Sequence, residues 1–597
     1  VAASLVCSLG FGALGGAPQG EAYVAVVGGK ETPMPAIGEG MGDPYTVQRI
    51  LDEGIHRNQV MAHLKYLSEQ IGPRLTGSTR GQKANEWVRD QFAIWGLHNP
   101  RLEQWGEIPV GFDRGPSTGK VLLRREVRAG DRRPSDGAPG QHRRARPQGT
   151  AEEGSAPEAT PASGEAPKDE PKKDDVKIEY EELREMEFTT PAWTMGTNGP
   201  IRGRAIKEPQ TEEEYQAVKD QLKGAWIVVQ ARSPVAQRGV RSEVSSRIRM
   251  RDDAIRALES GTKKIEDMTL PERLAVSGAA GFISASRDER VWTGQLNGWR
   301  ELTLDTVPKS IEVVVRRSDY DFINSRLFDR EPIELEFNLD HKLFTGPEGA
   351  KVPTYNVIAE IPGTTWPDQV VILSAHIDSW DGPGSQGTTD NGTGTTVMME
   401  AARILMAAGA QPKRTIKIIL WTGEEQGLLG SRGYVEKHKG KMDSVSAVFV
   451  DDGGTNYQGG LHCIPEMADI LAAATAPVNN KFFDGVTGKP LNVNIQVEEK
   501  MPQGGGSDHA SFNAIGVPGF YWDEVGRAEY TYGWHTQHDR FDLAIPEYLK
   551  QSATCSAVTA YRLACADSLL PREPKKEEKK EQKTEAPTTP SGGQVGS

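Results

Sequence analysis

Four apolar runs in this chain end on side chains that bind divalent cations or carry protons. Val370-Val371-Ile372-Leu373 leads to His376 and Asp378, and Ile416-Lys417-Ile418-Ile419-Leu420 to Glu424 and Glu425. Ala447-Val448-Phe449-Val450 leads to Asp451 and Asp452, and Val517-Pro518-Gly519-Phe520-Tyr521-Trp522 is followed by His535. Positions i and i+2 share one face of a strand. His376 can therefore ligate a cation while Asp378 accepts its second ring N–H; taken alone, the pair reads equally as a structural hydrogen bond. Asp390 stands before a helix with Val397, Ala401, Ile404 and Leu405 on one face. It is either an N-cap or, beside His376, a carboxylate that bridges two cations. Glu424 and Glu425 are adjacent, and burying both without a cation is costly. Their side chains diverge, so one can bind metal while its neighbour acts as general base. Oxygen and imidazole donors without thiolate favour two zinc ions about 3.5–4 Å apart around an activated water, with manganese or cobalt as alternatives. The Gly504-Gly505-Gly506-Ser507-Asp508-His509 loop can line a cleft but lacks the lysine of a phosphate cradle. No Gly-x-Ser-x-Gly elbow or reactive-cysteine context offers a competing nucleophile.

Elements must bring these residues together. Continuous Val/Ile/Leu runs separated by helical stretches predict an α/β fold: a mostly parallel mixed sheet, buried on both faces and flanked by helices. Ligands in such sheets gather at the carboxyl ends of the strands. At 597 residues the chain exceeds one hydrophobic core. The expected division is a signal segment over 1–24, the first part of the main domain over 45–115, and an inserted lid-like domain over 116–345. The main domain resumes over 352–566, and a charged, disordered tail covers 567–597. Within the insertion, 130–177 is rich in Pro, Gly, Ala and charge and is expected to be disordered. A polar helical stretch over 242–270 interrupts the strand candidates Ala225–Val229 and Ile311–Val315. The net charge of −13 argues against nucleic acid as a partner. The four cysteines, Cys7, Cys463, Cys555 and Cys565, show no metal-binding spacing and predict no disulfide framework. Residues Val1 to Ala17 resemble the apolar core of an export signal, which predicts a secreted or periplasmic protein. No later stretch is long and apolar enough for a transmembrane helix.

The assembled residues resemble the di-zinc exopeptidases of the aminopeptidase Y type. The resemblance rests on 375–381 (Ala-His-Ile-Asp-Ser-Trp-Asp), on 412–427 with its Trp421-Thr422-Gly423-Glu424-Glu425-Gln426-Gly427 end, and on 535–539 (His-Thr-Gln-His-Asp). It spans about 352–542, with Gly72-Pro73-Arg74-Leu75-Thr76-Gly77-Ser78 near the start. It implies a zinc exopeptidase fold carrying an inserted protease-associated-like domain, two Zn²⁺ per chain and a peptide or dipeptide substrate. In that pattern Asp390 bridges, His376 and Asp452 complete one site, and Glu425 and His535 complete the other. Glu424 falls at the general-base position and Asp378 beneath His376. Asp452 is preferred to Asp451 because its Asp-x-Gly-Thr context fits better. The His376–Asp390 spacing is two residues longer than in carboxypeptidase-type members, which enlarges a loop. Trp534 stands where many members have an oxyanion-stabilising Tyr, leaving Tyr530 and Tyr532 as candidates. A homodimer is a further expectation. The rival readings are a di-zinc hydrolase or cyclising transferase for another amide, and a non-catalytic, receptor-like binding protein.

Overall fold

A computed structural model describes residues 23–128, 176–231, 240–502 and 504–573. The expected signal segment through residue 22, the low-complexity stretch through 175 and the tail from 574 lie outside the described residues. Strands border these stretches where composition alone drew other limits. Val24 opens a strand, Val24–Val27. Lys177 sits in the strand Val176–Glu185, paired with Val127. Past Ala566, Leu570 is buried and its N–H donates to Ser446 Oγ (3.0 Å), because an apolar residue next to the sheet extends the packed chain.

The main sheet has six strands, in the order Gly519–Tyr521, Val445–Val450, Trp366–His376, Arg414–Trp421, Val352–Ile361 and His98–Ile108. The first four are mutually parallel and the last two antiparallel to their neighbours, so the sheet is mixed. Alternation sends Val371, Leu373, Ile416, Ile418 and Phe449 into one core and Val370, Ile372, Ile419 and Val448 into another. The first core is closed by helices Thr393–Ala407 and Pro546–Cys565, both buried nearly all round. The second is closed by helix Leu429–Lys437 and the short helix His509–Asn513. Each Val, Leu or Ile buried here contributes about 1.5–3 kcal/mol.

A five-stranded sheet flanks this core, in the order Lys30–Pro33, Val24–Val27, Asn494–Val497, Tyr457–Cys463 and Asp523–Val525. An eight-stranded sheet lies between the two halves of the main sheet in sequence, running from Thr118–Arg128 to Ile333–Asn338. It has its own core around Trp226, Ile283, Val313 and Phe337. The pair Gly111–Arg114 and His341–Phe344 joins it to the main body. A shared cluster docks it there, with Trp193 stacked on Trp299 (centroids 4.3 Å apart) and packed among Leu75, Ile108 and Trp380. The polar helical stretch forms the helix Val240–Glu259, whose Arg251 pairs with the fully buried Glu312 (2.6 Å). Cys463, Cys555 and Cys565 are buried free thiols. Among the described residues, no helix is long and apolar enough to cross a membrane.

Candidate metal centre

The carboxyl ends of the parallel strands converge on one cluster. His376 closes its strand, and its Nδ1 lies 2.9 Å from the Asp378 carbonyl. A carbonyl only accepts, so Nδ1 carries the hydrogen and the neutral ring's Nε2 lone pair is left for a cation. That Nε2 faces Asp452 Oδ1 (3.0 Å) and Asp390 Oδ1 (3.3 Å). The other Asp390 oxygen is 2.9 Å from His535 Nε2, which is also 3.0 Å from Glu425 Oε2. Two triads result, His376–Asp390–Asp452 and Asp390–Glu425–His535, with donor atoms in each within 4.8 Å of one another and Asp390 common to both. Asp390 is not the helix cap that its position allowed. It is extended (φ −129°, ψ 92°) two residues before the N-cap Gly392, which frees its carboxylate for the two imidazoles.

Glu424 lies at the edge of the first triad, its Oε2 3.9 Å from His376 Nε2. Asp451 turns away, its Oδ2 accepting from Gln458 Nε2 (2.6 Å), because adjacent strand-end residues point in opposite directions. Asp378 serves differently from the simple ring support its spacing suggested. Its backbone carbonyl holds the imidazole, while its carboxylate accepts from Thr76 Oγ1 (2.9 Å) and from the N–H groups of Glu424 (3.3 Å) and Glu425 (3.4 Å).

Three contributors went unassigned in the sequence. Thr76 Oγ1 donates to Asp378 and accepts from Gly423 N (2.8 Å), locking the turn that presents both glutamates. Arg74, fully buried, donates to the carbonyls of Ile377 (2.6 Å) and Gly387 (2.7 Å), tying together the loops on either side of Asp378 and Asp390. Asp539 accepts from Thr389 N (2.5 Å) and Asp390 N (3.3 Å), fixing the bridging residue. Arg74, Thr76 and Asp539 lie inside the segments that carry the family resemblance, which was the available signal.

The electrostatics call for cations. Burial, then the Asp390 charge, pushes Glu425 up to about 7. Burial likewise raises Asp508 and Asp539 to about 7, and Glu424 well above the usual carboxylate range. Burial alone would depress His535, but Glu425 and Asp390 raise it to about 9; His376 rises for the same reason, mainly through Asp452 and Glu424. Burial opposes ionisation of Asp390, yet its two histidine contacts pull it below the usual range. Buried Glu425 Oε1 has no hydrogen-bond partner. Crowded carboxylates and two imidazoles, with no thiolate, form a donor set suited to zinc.

The cluster opens into a cleft of about 790 Å³. Tyr521, Tyr530, Trp534, His509, His462 and Asp523 line it together with the glycines 504–506. Tyr532 is instead exposed, with its ring stacked on His538 (4.7 Å).

Residues 356–559 match peptidase family M28. Carboxypeptidase Q of Xenopus laevis is 32% identical over 222 residues, covering 37% of this chain and 44% of that protein. Carboxypeptidase Q of Mus musculus is 30% identical over 269 residues, covering 45% and 53% respectively. The chain thus spans about half the length of the curated relatives it matches. The crystal structure of a peptidase M28 precursor from Shewanella amazonensis SB2B aligns over 89% of this chain and 98% of its own, with a TM-score of 0.50 at 18% identity, a likeness of fold. The segment that matches peptidase family M28, 356–559, is the one that carries both triads at its strand ends.

Proposed function

We propose that this protein is a di-zinc exopeptidase that removes the terminal residue of peptides or splits dipeptides. The observation that carries the reading is the pair of triads sharing Asp390, with Glu424 beside them in an open cleft. His376 and Asp452 would hold one ion, Glu425 and His535 the other. When bound, such a cation pair supplies Lewis-acid chemistry, acidifying water and polarising a carbonyl. Glu424 accepts the proton of the attacking water and returns it to the departing amine nitrogen. Tyr530 lines the same cleft, and burial among carboxylates keeps its phenol protonated, able to donate to a developing oxyanion.

The cleft favours a substrate with a free amino end. Among its described lining residues none is Lys or Arg, whereas Asp523 is one of them. Arg300 reaches the rim, where it donates to the Gln426 carbonyl (2.7 Å). A substrate α-carboxylate would meet acidic walls, which counts against carboxyl-terminal selection despite the names of the curated relatives. The eight-stranded unit fits the role of a protease-associated-like insertion, and the apolar opening residues fit export to the periplasm or outside the cell. Purified protein incubated with a dipeptide panel, with N-acetylated and C-amidated versions, with and without a chelator, tests the reading. Chelator-sensitive cleavage that survives amidation and stops on acetylation is expected; metal-independent cleavage, or none, would overturn it.

A further inference from the structure

The two triads are held by different parts of the molecule. His376 and Asp452 stand at or just beyond the ends of neighbouring strands of the main sheet, so that sheet fixes their separation. His535 has no such support. It sits on a loop after the short helix Tyr530–Gly533, in the left-handed region (φ 58°) that a residue with a side chain keeps only where its surroundings impose it.

The insertion supplies much of those surroundings, beside Trp380 and the Asp539 contacts of the main body. Thr293 N donates to the His535 carbonyl (3.0 Å), and Trp292 bridges to Thr536 in antiparallel fashion. Two residues beyond the imidazole, the Gln537 side chain reaches into the insertion. Its Oε1 accepts from Val291 N (2.9 Å), and its Nε2 donates to Glu187 Oε2 (2.9 Å) and the Glu289 carbonyl (3.0 Å). The Trp292 ring meets Trp534 edge-on (5.9 Å), and Trp534 stacks on the His535 ring (4.0 Å). Trp292 is itself fixed beneath Arg290 (4.8 Å). Backbone, amide and ring contacts from one stretch, 289–293, thus grip 534–537 around His535, whose ring also meets Trp380 of the main body edge-on (5.9 Å).

We infer that the insertion positions the second metal ligand set: through Trp292, Thr293 and Gln537 it holds His535 against Asp390 and Glu425, and sets occupancy of that site alone. Trp292 and Gln537 are positioning residues and belong to neither triad. The inference rests on the two-zinc reading above. Asp390 belongs to the turn that leads into the buried helix Thr393–Ala407 of the main body, and none of the contacts named above joins it to 289–293, so the His376–Asp452 site is predicted to be unaffected.

The test is zinc stoichiometry by mass spectrometry and stepwise zinc affinity by competition with a chromophoric chelator. It is applied to full-length wild type, Trp292→Ala, Trp292→Phe and Gln537→Leu, with the fold of each metal-free protein followed by circular dichroism. Wild type is expected to bind two zinc ions. Trp292→Ala and Gln537→Leu should keep one at unchanged affinity and bind the other about 10–100-fold more weakly, the scale for losing support of a ligand. Trp292→Phe, which restores an aromatic edge against Trp534, should recover most of that loss. Should Trp292→Ala not fold, Gln537→Leu reads the same effect through hydrogen bonds alone. Folded variants that bind both ions like wild type, or that lose both equally, would overturn the inference while leaving the two-zinc reading intact. A wild type that binds fewer than two overturns that reading and this inference with it.

Discussion

Replacing Glu424 with Gln separates proton transfer from metal binding. The side chain lines the cleft with its Oε2 3.9 Å from His376 Nε2, and its backbone N–H is held by Asp378 (3.3 Å). Gln has the same length and keeps the backbone contact, but its amide does not take up a proton. Neither triad includes Glu424, so zinc content should not change. Losing a general base costs about 10²–10⁴ in kcat, or about 2.7–5.4 kcal/mol at about 1.36 kcal/mol per tenfold. KM should stay within a few-fold, because the cleft keeps its shape. Burial and the neighbouring Asp452, Asp508 and Glu425 disfavour the Glu424 carboxylate, so the metal-free variant should be at least as stable as wild type at pH 8.

The assay is steady-state dipeptide hydrolysis in excess zinc, with zinc per chain and the thermal midpoint in chelator measured on the same preparations. A variant that keeps two zincs and retains kcat within tenfold of wild type would falsify the assignment of Glu424 as base. Loss of a zinc together with activity would mean that Glu424 is a ligand and that the roles of positions 424 and 425 are exchanged.

Asp390→Asn should weaken both zinc sites, whereas Asp452→Asn and His535→Ala should each weaken one; equal loss from all three, by mass spectrometry, would contradict a shared carboxylate. The chelated protein should be less stable at pH 8 than at pH 5.5. Glu425, Asp508 and Asp539, raised to about 7, hold protons in the folded state that the unfolded chain has lost above about pH 4.5, so unfolding becomes easier as pH rises through that window. His535, raised to about 9, acts in the same direction, since its stabilisation is complete below about pH 6.5 and fades as pH rises through 9. A calorimetric midpoint that climbs from pH 5.5 to 8 would contradict this. Gly423→Ala should cost about 1–3 kcal/mol in urea unfolding and also lower kcat. Gly423 has φ +75°, and a Cβ there would lie 2.9 Å from Leu429 Cβ and 3.0 Å from Trp105, displacing the turn that carries both glutamates. Unchanged stability would mean that the turn yields freely.

The main sheet was legible because strands buried on both faces write themselves as unbroken apolar runs. Val370–Leu373 and Ile416–Leu420 feed two cores at once, which leaves little room for polar residues except at the ends. The end residues therefore stand out as candidate ligands: His376, Glu424, Glu425 and the pair Asp451 and Asp452, between which the family resemblance rather than the pattern chose. The flanking five-stranded sheet gave no such signal. Its strand Tyr457–Cys463 contains Gly459, Gly460 and His462, and Asn494–Val497 is four residues long. Neither the period nor the length separates them from loop. Yet this sheet carries His462 and Asp523, which line the cleft.

The groups that hold the ligands were hidden for a different reason. Thr76, Arg74 and Asp539 act through a few hydrogen bonds each, to partners as distant as 347 residues, and a lone polar residue near a turn has no periodicity that would announce such bonds. The insertion's grip on His535 is the extreme case, with Trp292 and Trp534 meeting from separate loops. Ligands supplied by strand ends inherit their spacing from the ladder, so local patterning encodes both residue and position. A ligand supplied by a loop has its identity written locally and its position written elsewhere. His535 is that ligand here, and its site is accordingly the one whose zinc affinity should answer to substitutions far away in the chain, while the His376–Asp452 site should answer only to changes in the main sheet and its adjoining turns.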